Sequence, residues 1–523
     1  MKVRPLCIIR ANDNFLSLCA DYNFIFRVKW IFLYLCADYN FFAMEQFIGR
    51  TEEIKRLERY LASERSEFVA VYGRRRIGKT FFVRHVVGDK VCFSITGMDN
   101  VSMRDQLSAF NIALRRRFHA ERQAKNWIEA FALLAECLEN TIHGTKIIFI
   151  DELPWFDTPK SRFVSALEHF WNSWASARGD VKLIVCGSAT SWMINKLINN
   201  RGGLHNRVTH SILLKPFTLA ECQQYFDAYG FDYSQQEIAD CYMVMGGVPY
   251  YFTFMDTAYS VAQNVDHVFF APESELRNEF NNLYRSLFKQ AEVHIKIVKA
   301  LASKGKGLSR SEIVEATGIV NNGDLTTRLA ELENCGLIRS YAPFSVSRRK
   351  TAPVRKSRET LYQLVDFYTL FYLKMMQQND YGNPHFWTEL QGNPLYSAWS
   401  GYAFEMLCLA HVEQIKAALG ISGIQSSVCS WFGSNGEEHA QIDLLIDRND
   451  KTINICEMKY ADGDYSIDKS TDDGFRTKTK VFREATKTRK SLMFTLVTPS
   501  GLKKGKYTSR VQKIITFVDL FRF

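Results

Sequence analysis

The chain has 523 residues, 46% of them hydrophobic and 23% charged, with a formal net charge of +10. That balance is globular, and at roughly 150 residues per domain it implies about three or four domains. With 11 Pro and 29 Gly, low-complexity sequence is excluded as a dominant feature. The 12 cysteines form no Cys-x-x-Cys pair, which argues against structural zinc and fits reduced, buried thiols in a cytoplasmic protein.

No run of about 18 uncharged apolar residues predicts a membrane span. The most apolar N-terminal stretch, Phe24 to Phe42, is broken by Arg27, Lys29 and Asp38. Residues 18–24 (Leu-Cys-Ala-Asp-Tyr-Asn-Phe) recur identically at 35–41. So short a repeat, found nowhere else, is no solenoid unit. It reads as duplicated upstream sequence, so residues 1–43 are expected to be a non-native extension, with Met44 as the natural start. The positive charge leans toward polyanions such as nucleic acid, although charge alone favours an ordinary basic protein.

Glu67 to Tyr72 is a short run rich in β-branched and aromatic residues, the pattern of a buried strand. Gly73-Arg-Arg-Arg-Ile-Gly78-Lys79-Thr80 follows, and then a helical pattern through Val87. Strand, glycine loop and helix are the context of a Walker A loop, in which backbone N–H groups and the helix N-terminus cradle phosphates. Gly73, Arg76, Gly78, Lys79 and Thr80 are the expected ATP-binding residues. Lys79 would reach the β/γ-phosphates and Thr80 would ligate Mg²⁺. A second strand, Lys146 to Ile150, ends in Asp151-Glu152. Carboxylates at the C-terminal end of a parallel strand face the ligand crevice; Asp151 would hold Mg²⁺ through water and Glu152 would polarise the attacking water. A third strand, Val181 to Cys186, leads to Ser188, the candidate γ-phosphate sensor, although a simple turn explains that residue nearly as well.

The segments Phe47-Ile-Gly49-Arg50, the two Walker motifs, Cys186-Gly-Ser-Ala-Thr190, Lys215-Pro-Phe-Thr-Leu-Ala-Glu221 and Gly246-Gly-Val-Pro249 occur in an order that resembles the archaeal-type predicted ATPases, related to AAA+ and STAND ATPases. The resemblance implies a P-loop NTPase domain with a helical lid over 44–285. It places Gly49 and Arg50 near adenine and makes Arg207 the arginine that meets a γ-phosphate, a role that would require an oligomer if it acts in trans.

Downstream, Ile295 to Leu301 reads as a helix. Ser309 and Glu312 make a capping box for a second helix, Arg310 to Thr317, ended by Gly318. Leu325, Leu329 and Leu332 space a third, stopped by Gly336, before a strand at Ile338. This is helix-turn-helix plus wing order over 286–375. The basic stretches 347–350 and 355–358 would be the wing, touching DNA phosphates; the competing reading is a coupler packed on the ATPase, since Asp324, Glu331 and Glu333 on the third helix would repel phosphate.

In the last segment, 390–523, Gln441 to Asp447 and Thr452 to Lys459 read as two strands about a turn. The hairpin sets Asp443 opposite Glu457 within a residue of register, and Lys459 on the same face as Glu457. Two carboxylates and a lysine suit a Mg²⁺ or Mn²⁺ site; a solvated cross-strand ion pair is the plain alternative. The segment resembles the PD-(D/E)XK nuclease core, an α/β/α restriction-endonuclease-like fold. By that resemblance Glu405 is the first-helix acid and a further metal ligand, and Lys478, Lys480 and Lys487 lie where a basic helix would touch DNA. The leading proline of that motif is absent. The whole predicts an α/β ATP-driven switch, with ATP and Mg²⁺ as cofactors, coupled to a metal-dependent DNase. The alternative is an ATP-regulated DNA-binding or signalling scaffold with a protein partner and an inactive nuclease fold.

Overall fold

Buried apolar strands build the first sheet of the computed structural model, which describes residues 46–199, 207–344, 360–379 and 382–522. The 18–24/35–41 repeat, Met44 and the basic stretches 347–350 and 355–358 lie outside those residues. The strands are β1 (Glu67–Tyr72), β2 (Val91–Thr96), β3 (Lys146–Asp151), β4 (Val181–Gly187) and β5 (His210–Leu213). Their order is β2-β3-β4-β1-β5, and every pairing is parallel. β3 and β4 are buried along their whole length and β1 over all but Tyr72, as expected of a parallel sheet covered on both faces.

Helix α1 (Lys79–Val87) follows β1 directly. Helices α2 (Met103–Phe118), α3 (Trp127–Thr141) and α4 (Phe163–Phe170) carry Phe110, Trp127, Phe131 and Phe163 into one aromatic core against the sheet. Short polar signals start these helices: Ser102 and Asp105 make a capping box for α2, and Thr218 and Glu221 another for α5 (Leu219–Ala228). Helix α6 (Gln235–Met245) ends at Gly246, whose φ of 67° is the left-handed C-cap conformation that suits glycine.

Helix α7 (Glu279–Leu287) leads to α8 (Ala291–Ala302), α9 (Arg310–Thr317) and α10 (Gly323–Asn334). The Ser309–Glu312 capping box forms as expected. Strands β6 (Leu308–Ser309), β7 (Ile338–Tyr341) and β8 (Leu361–Leu364) make a three-stranded antiparallel sheet in the order β6-β8-β7.

The last sheet has the order β13-β12-β11-β10-β9, from β9 (Ser426–Ser434), β10 (His439–Arg448), β11 (Thr452–Met458), β12 (Ser491–Val497) and β13 (Lys513–Ile515). β9, β10 and β11 pair antiparallel, whereas β11, β12 and β13 pair parallel. Helix α11 (Pro394–Ala410) precedes it. Helix α12 (Lys469–Thr486) packs on it through Phe475, Val481 and Phe482, against Ile442, Ile453 and Ile455.

From Gly49 to Phe523 the chain is one compact unit. The boundary expected at 285 falls inside α7 and the one expected at 390 falls at the end of the helix before α11, and buried polar links cross them. The Leu219 N–H donates to Nε2 of His411 at 3.1 Å, so the first turn of α5 is fastened to the end of α11. Among the described residues no helix is long and apolar enough to cross a membrane.

Candidate functional site

The loop between β1 and α1 has the backbone that its glycines require. Gly73 has φ 146°, and a Cβ there would stand 2.3 Å from the Leu214 carbonyl oxygen. Gly78 has φ 83° as the N-cap of α1. Lys79 is buried, and its ammonium donates to the Arg74 carbonyl at 2.9 Å. Burial pulls its pKa below the ordinary lysine value, and the carboxylates of Glu152 and Asp151 oppose that shift.

β4 lies between β1 and β3, which brings the loop, the acids and Ser188 to one edge. Thr80 Oγ1 donates to Asp151 Oδ2 at 2.8 Å. The Cys186 thiol donates to Asp151 Oδ1 at 2.6 Å, and burial, followed by the nearby Asp151 charge, pushes that thiol up. Glu152 sits at φ 46°, rare for a non-glycine residue and a form of strain that gathers at functional sites. Its carboxylate accepts from the Ser188 N–H at 3.0 Å and from the Ser188 hydroxyl at 2.6 Å. Thr80 and Asp151 converge through neutral donors alone, so they fit Mg²⁺: the hydroxyl and a carboxylate oxygen share one point, and the ion would neutralise phosphate charge there.

The other motif residues assemble around Arg50. Its N–H donates to Glu221 Oε1 at 2.9 Å; its guanidinium donates to the carbonyls of Lys215 and Ile77, the latter at 3.3 Å, and stands 4.8 Å from the centre of the Phe217 ring. Burial lowers the Arg50 pKa, with Glu221 opposing. Gly49, at φ 65°, leaves room for Glu221, which a Cβ would approach to 2.6 Å. The Phe217 N–H donates to the Gly247 carbonyl at 2.7 Å. Arg207 is exposed in the turn before β5.

Two features escaped the sequence. Arg76, expected among the nucleotide-binding residues, pairs with Glu279 of α7 at 2.8 Å and lies 4.2 Å from the centre of the Tyr250 ring. Its backbone is left-handed, at φ 71°. Arg74 is buried and ion-paired with Asp366, the residue that caps the helix after β8; its Nε and Nη2 have no hydrogen-bond partner among the described residues. Burial works against the Arg74 charge, but Asp366 more than offsets it and holds the pKa above the ordinary arginine value. No local pattern marks a pair separated by 292 positions.

Helix α10 also reaches the nucleotide end. Asn334 Nδ2 donates to Ser191 Oγ at 3.3 Å, three residues beyond Ser188. Asp324 and Glu331 are paired with Arg328, and Glu331 also with His294.

In the C-terminal sheet the paired register ends with Leu444 opposite Cys456, so that Asp443 and Glu457 are the next residues of their strands, the facing that the hairpin spacing predicts. Glu405 of α11 feels both acids: burial first, then Asp443, raises its pKa to about 7, with Glu457 adding and Lys459 opposing. The expected metal ligands Glu405, Asp443 and Glu457 lie on α11, β10 and β11. Among the described residues no group of three or more His, Cys, Asp or Glu could hold a metal ion. Glu457 Oε1 pairs with Lys459 at 2.9 Å and Oε2 with Lys478 at 2.6 Å. Asp443 accepts from Gln441 at 2.6 Å. Lys478, expected to face DNA, is thus paired with Glu457. Lys480 pairs with Glu438 at 3.0 Å, and Lys487 is the left-handed C-cap of α12.

Residues 47–254 match the model of an ATPase domain found predominantly in Archaea. An uncharacterized protein of Methanocaldococcus jannaschii is 25% identical over 429 residues, 80% of this chain and 88% of that protein. Among solved structures, the Walker-type ATPase of Pyrococcus abyssi shares 16% identity at a TM-score of 0.43, covering 64% of this chain and 97% of that one. Cdc6p from Pyrobaculum aerophilum shares 16% identity at a TM-score of 0.32, covering 65% and 97%. With its five-stranded parallel sheet and P-loop geometry, the chain carries an ATPase domain of the P-loop type.

Proposed function

We propose that the chain is an ATP-hydrolysing switch governing a C-terminal domain that processes nucleic acid. One observation carries the coupling: the P-loop arginines are tied to residues on both sides of the α8–β8 module, Arg76 to Glu279 before it and Arg74 to Asp366 after it. A triphosphate entering the loop offers both guanidiniums a competing anion, and the free Nε and Nη2 of Arg74 are donors ready for it. Movement of Arg74 or Arg76 then alters contacts at Asp366 and Glu279, and the module responds.

In hydrolysis Lys79 binds the β/γ-phosphates, Thr80 and, through water, Asp151 would hold Mg²⁺, which would neutralise phosphate charge, and Glu152 orients water once released from Ser188. Gly49 and Arg50 would border the adenine, and Arg207 would meet the γ-phosphate of a neighbouring copy. The α8–β8 module is a winged helix used as a coupler, supported by the docking of Asn334 on Ser191 and by the internal pairing of Asp324 and Glu331. The relay ends beside Lys459: the hydroxyl of its neighbour Tyr460 donates to Asp240 of α6 at 2.5 Å.

The C-terminal domain is a nuclease-like fold with Asp443, Glu457 and Lys459 as its reactive cluster. A second reading, gripping without cutting, is favoured by one observation, the two lysines that already neutralise Glu457. Cleavage of linear, circular and single-stranded DNA, with Mg²⁺ or Mn²⁺, with and without ATP, tests both. Cutting lost in Lys459→Ala and Lys79→Ala supports the gated nuclease. ATP hydrolysis without any cutting, with DNA still bound, supports the grip.

A further inference from the structure

A cavity of about 380 Å³ opens between the three-stranded sheet and the C-terminal sheet, and its walls differ in charge. On one side stand Lys306, from the loop after α8, and Arg339 of β7; on the other stand Glu405 of α11 and Asp443 of β10. Cations and carboxylates share this space without closing on one another. Among the described residues Arg339 has no carboxylate partner; its Nε donates to the Gln363 amide oxygen at 2.8 Å. Among the described residues Lys306 likewise has no carboxylate partner; its ammonium reaches the Gln441 amide oxygen at 3.5 Å. Lys304, by contrast, is already paired with Glu312.

An aromatic platform adjoins the cavity. Phe432 of β9 is 58% exposed and is the cross-strand partner of Gln441, which lines the cavity. The Lys306 ammonium stands 4.9 Å from the centre of its ring. A wall of cations beside an exposed aromatic ring is the arrangement that holds unpaired bases, the phosphates paired with cations and a base stacked on the ring. The volume is that of a pocket for one small-molecule-sized moiety, the usual range being about 300–1,000 Å³; one unpaired nucleotide suits it and a duplex does not.

We infer that this cavity and the Phe432 face bind a single strand of nucleic acid, with Arg339 and Lys306 gripping backbone phosphates and Phe432 stacking a base. The inference rests on the reading that the C-terminal domain acts on nucleic acid, and it assigns part of that site to the α8–β8 module. Arg339 and Lys306 are thus positioning residues that hold a phosphate on the wall opposite Asp443 and Glu405.

The test is binding of a fluorescent 15-residue oligothymidylate to the full chain in EDTA, across a salt series, beside the matching duplex and the mononucleotide, with cleavage assayed in parallel. The expected result is tighter binding of the single strand than of the duplex or mononucleotide. Arg339→Gln with Lys306→Gln should flatten the log–log salt slope by about 1.4, roughly 0.7 for each lost phosphate contact. Phe432→Ala should weaken binding by about tenfold and leave the slope alone. Phe432 is exposed, so its truncation spares the core and carries the test if Arg339→Gln fails to fold; Arg339→Lys should keep the slope. Equal binding by all variants, preference for duplex, equal binding of the mononucleotide, or no binding at low salt would overturn the assignment. Variants that cut and bind like the wild type would overturn it while leaving the nuclease reading intact. Loss of binding in these variants of a protein that never cuts would support it and remove the nuclease.

Discussion

The nucleotide site and the C-terminal acid site use the same ingredients, two or three carboxylates with a lysine, and arrange them oppositely. At the P-loop, Lys79 donates to a backbone carbonyl, while Asp151 and Glu152 are held by a hydroxyl or thiol: Thr80, Cys186 and Ser188. Such neutral donors leave the carboxylate charge in place for a cation. At the C-terminal sheet Glu457 carries Lys459 and Lys478 directly, and the charge is neutralised within the protein. Residue types alone therefore do not fix how a carboxylate's charge is balanced; the groups that already hold it do.

The largest expected effect sits at the nucleotide site. Glu152→Gln should lower ATP turnover by about 10²–10⁴-fold, the usual contribution of a positioned base, with nucleotide affinity retained; steady-state hydrolysis and nucleotide titration measure the two. Asp366→Ala leaves Arg74 buried and unpaired, a loss of about 3–5 kcal/mol for a broken buried pair. Lys478→Ala, with Lys459 still on Glu457, should cost far less, and the two denaturant midpoints set the contrast.

The third effect concerns the link between α5 and α11. His411 is buried and neutral, and burial lowers its pKa to about 4. Unfolded, it regains a value near 6.5. Below pH 6.5 the unfolded chain takes up a proton that the fold refuses, so this stability is complete above pH 6.5. It declines toward pH 4, by about 3 kcal/mol in all. Thermal melts of wild type and His411→Gln should diverge in slope across that window and nowhere above it.

The smallest effect separates two roles for Ser188. As the restraint on Glu152, its hydroxyl is worth about 1 kcal/mol, and Ser188→Ala should raise basal ATP turnover by roughly fivefold. As a γ-phosphate sensor, the same change would lower it.

Much of the nucleotide site was legible because its signals are local. Glycines at 73 and 78, the lysine and threonine at the start of α1, and acids ending an apolar strand each declare a backbone role within a few positions. The Asp443–Glu457 facing was legible for the same reason, since one hairpin and its turn fix it. The pairing of Arg76 with Glu279, the Arg74–Asp366 pair and the claim of Lys478 on Glu457 were not. These depend on how separate elements pack, and nothing in the residues around Arg74 distinguishes it from Arg75. The docking of α10 on Ser191 belongs to the same class, and it turns a helix with a recognition-like spacing into a contact with the ATPase.

The most direct test is the affinity of the full chain for a single-stranded oligonucleotide without nucleotide, with ADP and with a non-hydrolysable ATP analogue, in wild type and Lys79→Ala. A switch coupled through the P-loop predicts that the analogue changes the wild-type affinity by about fivefold or more, a coupling of roughly 1 kcal/mol, and leaves Lys79→Ala unchanged. Equal affinities in all three states of the wild type would contradict it.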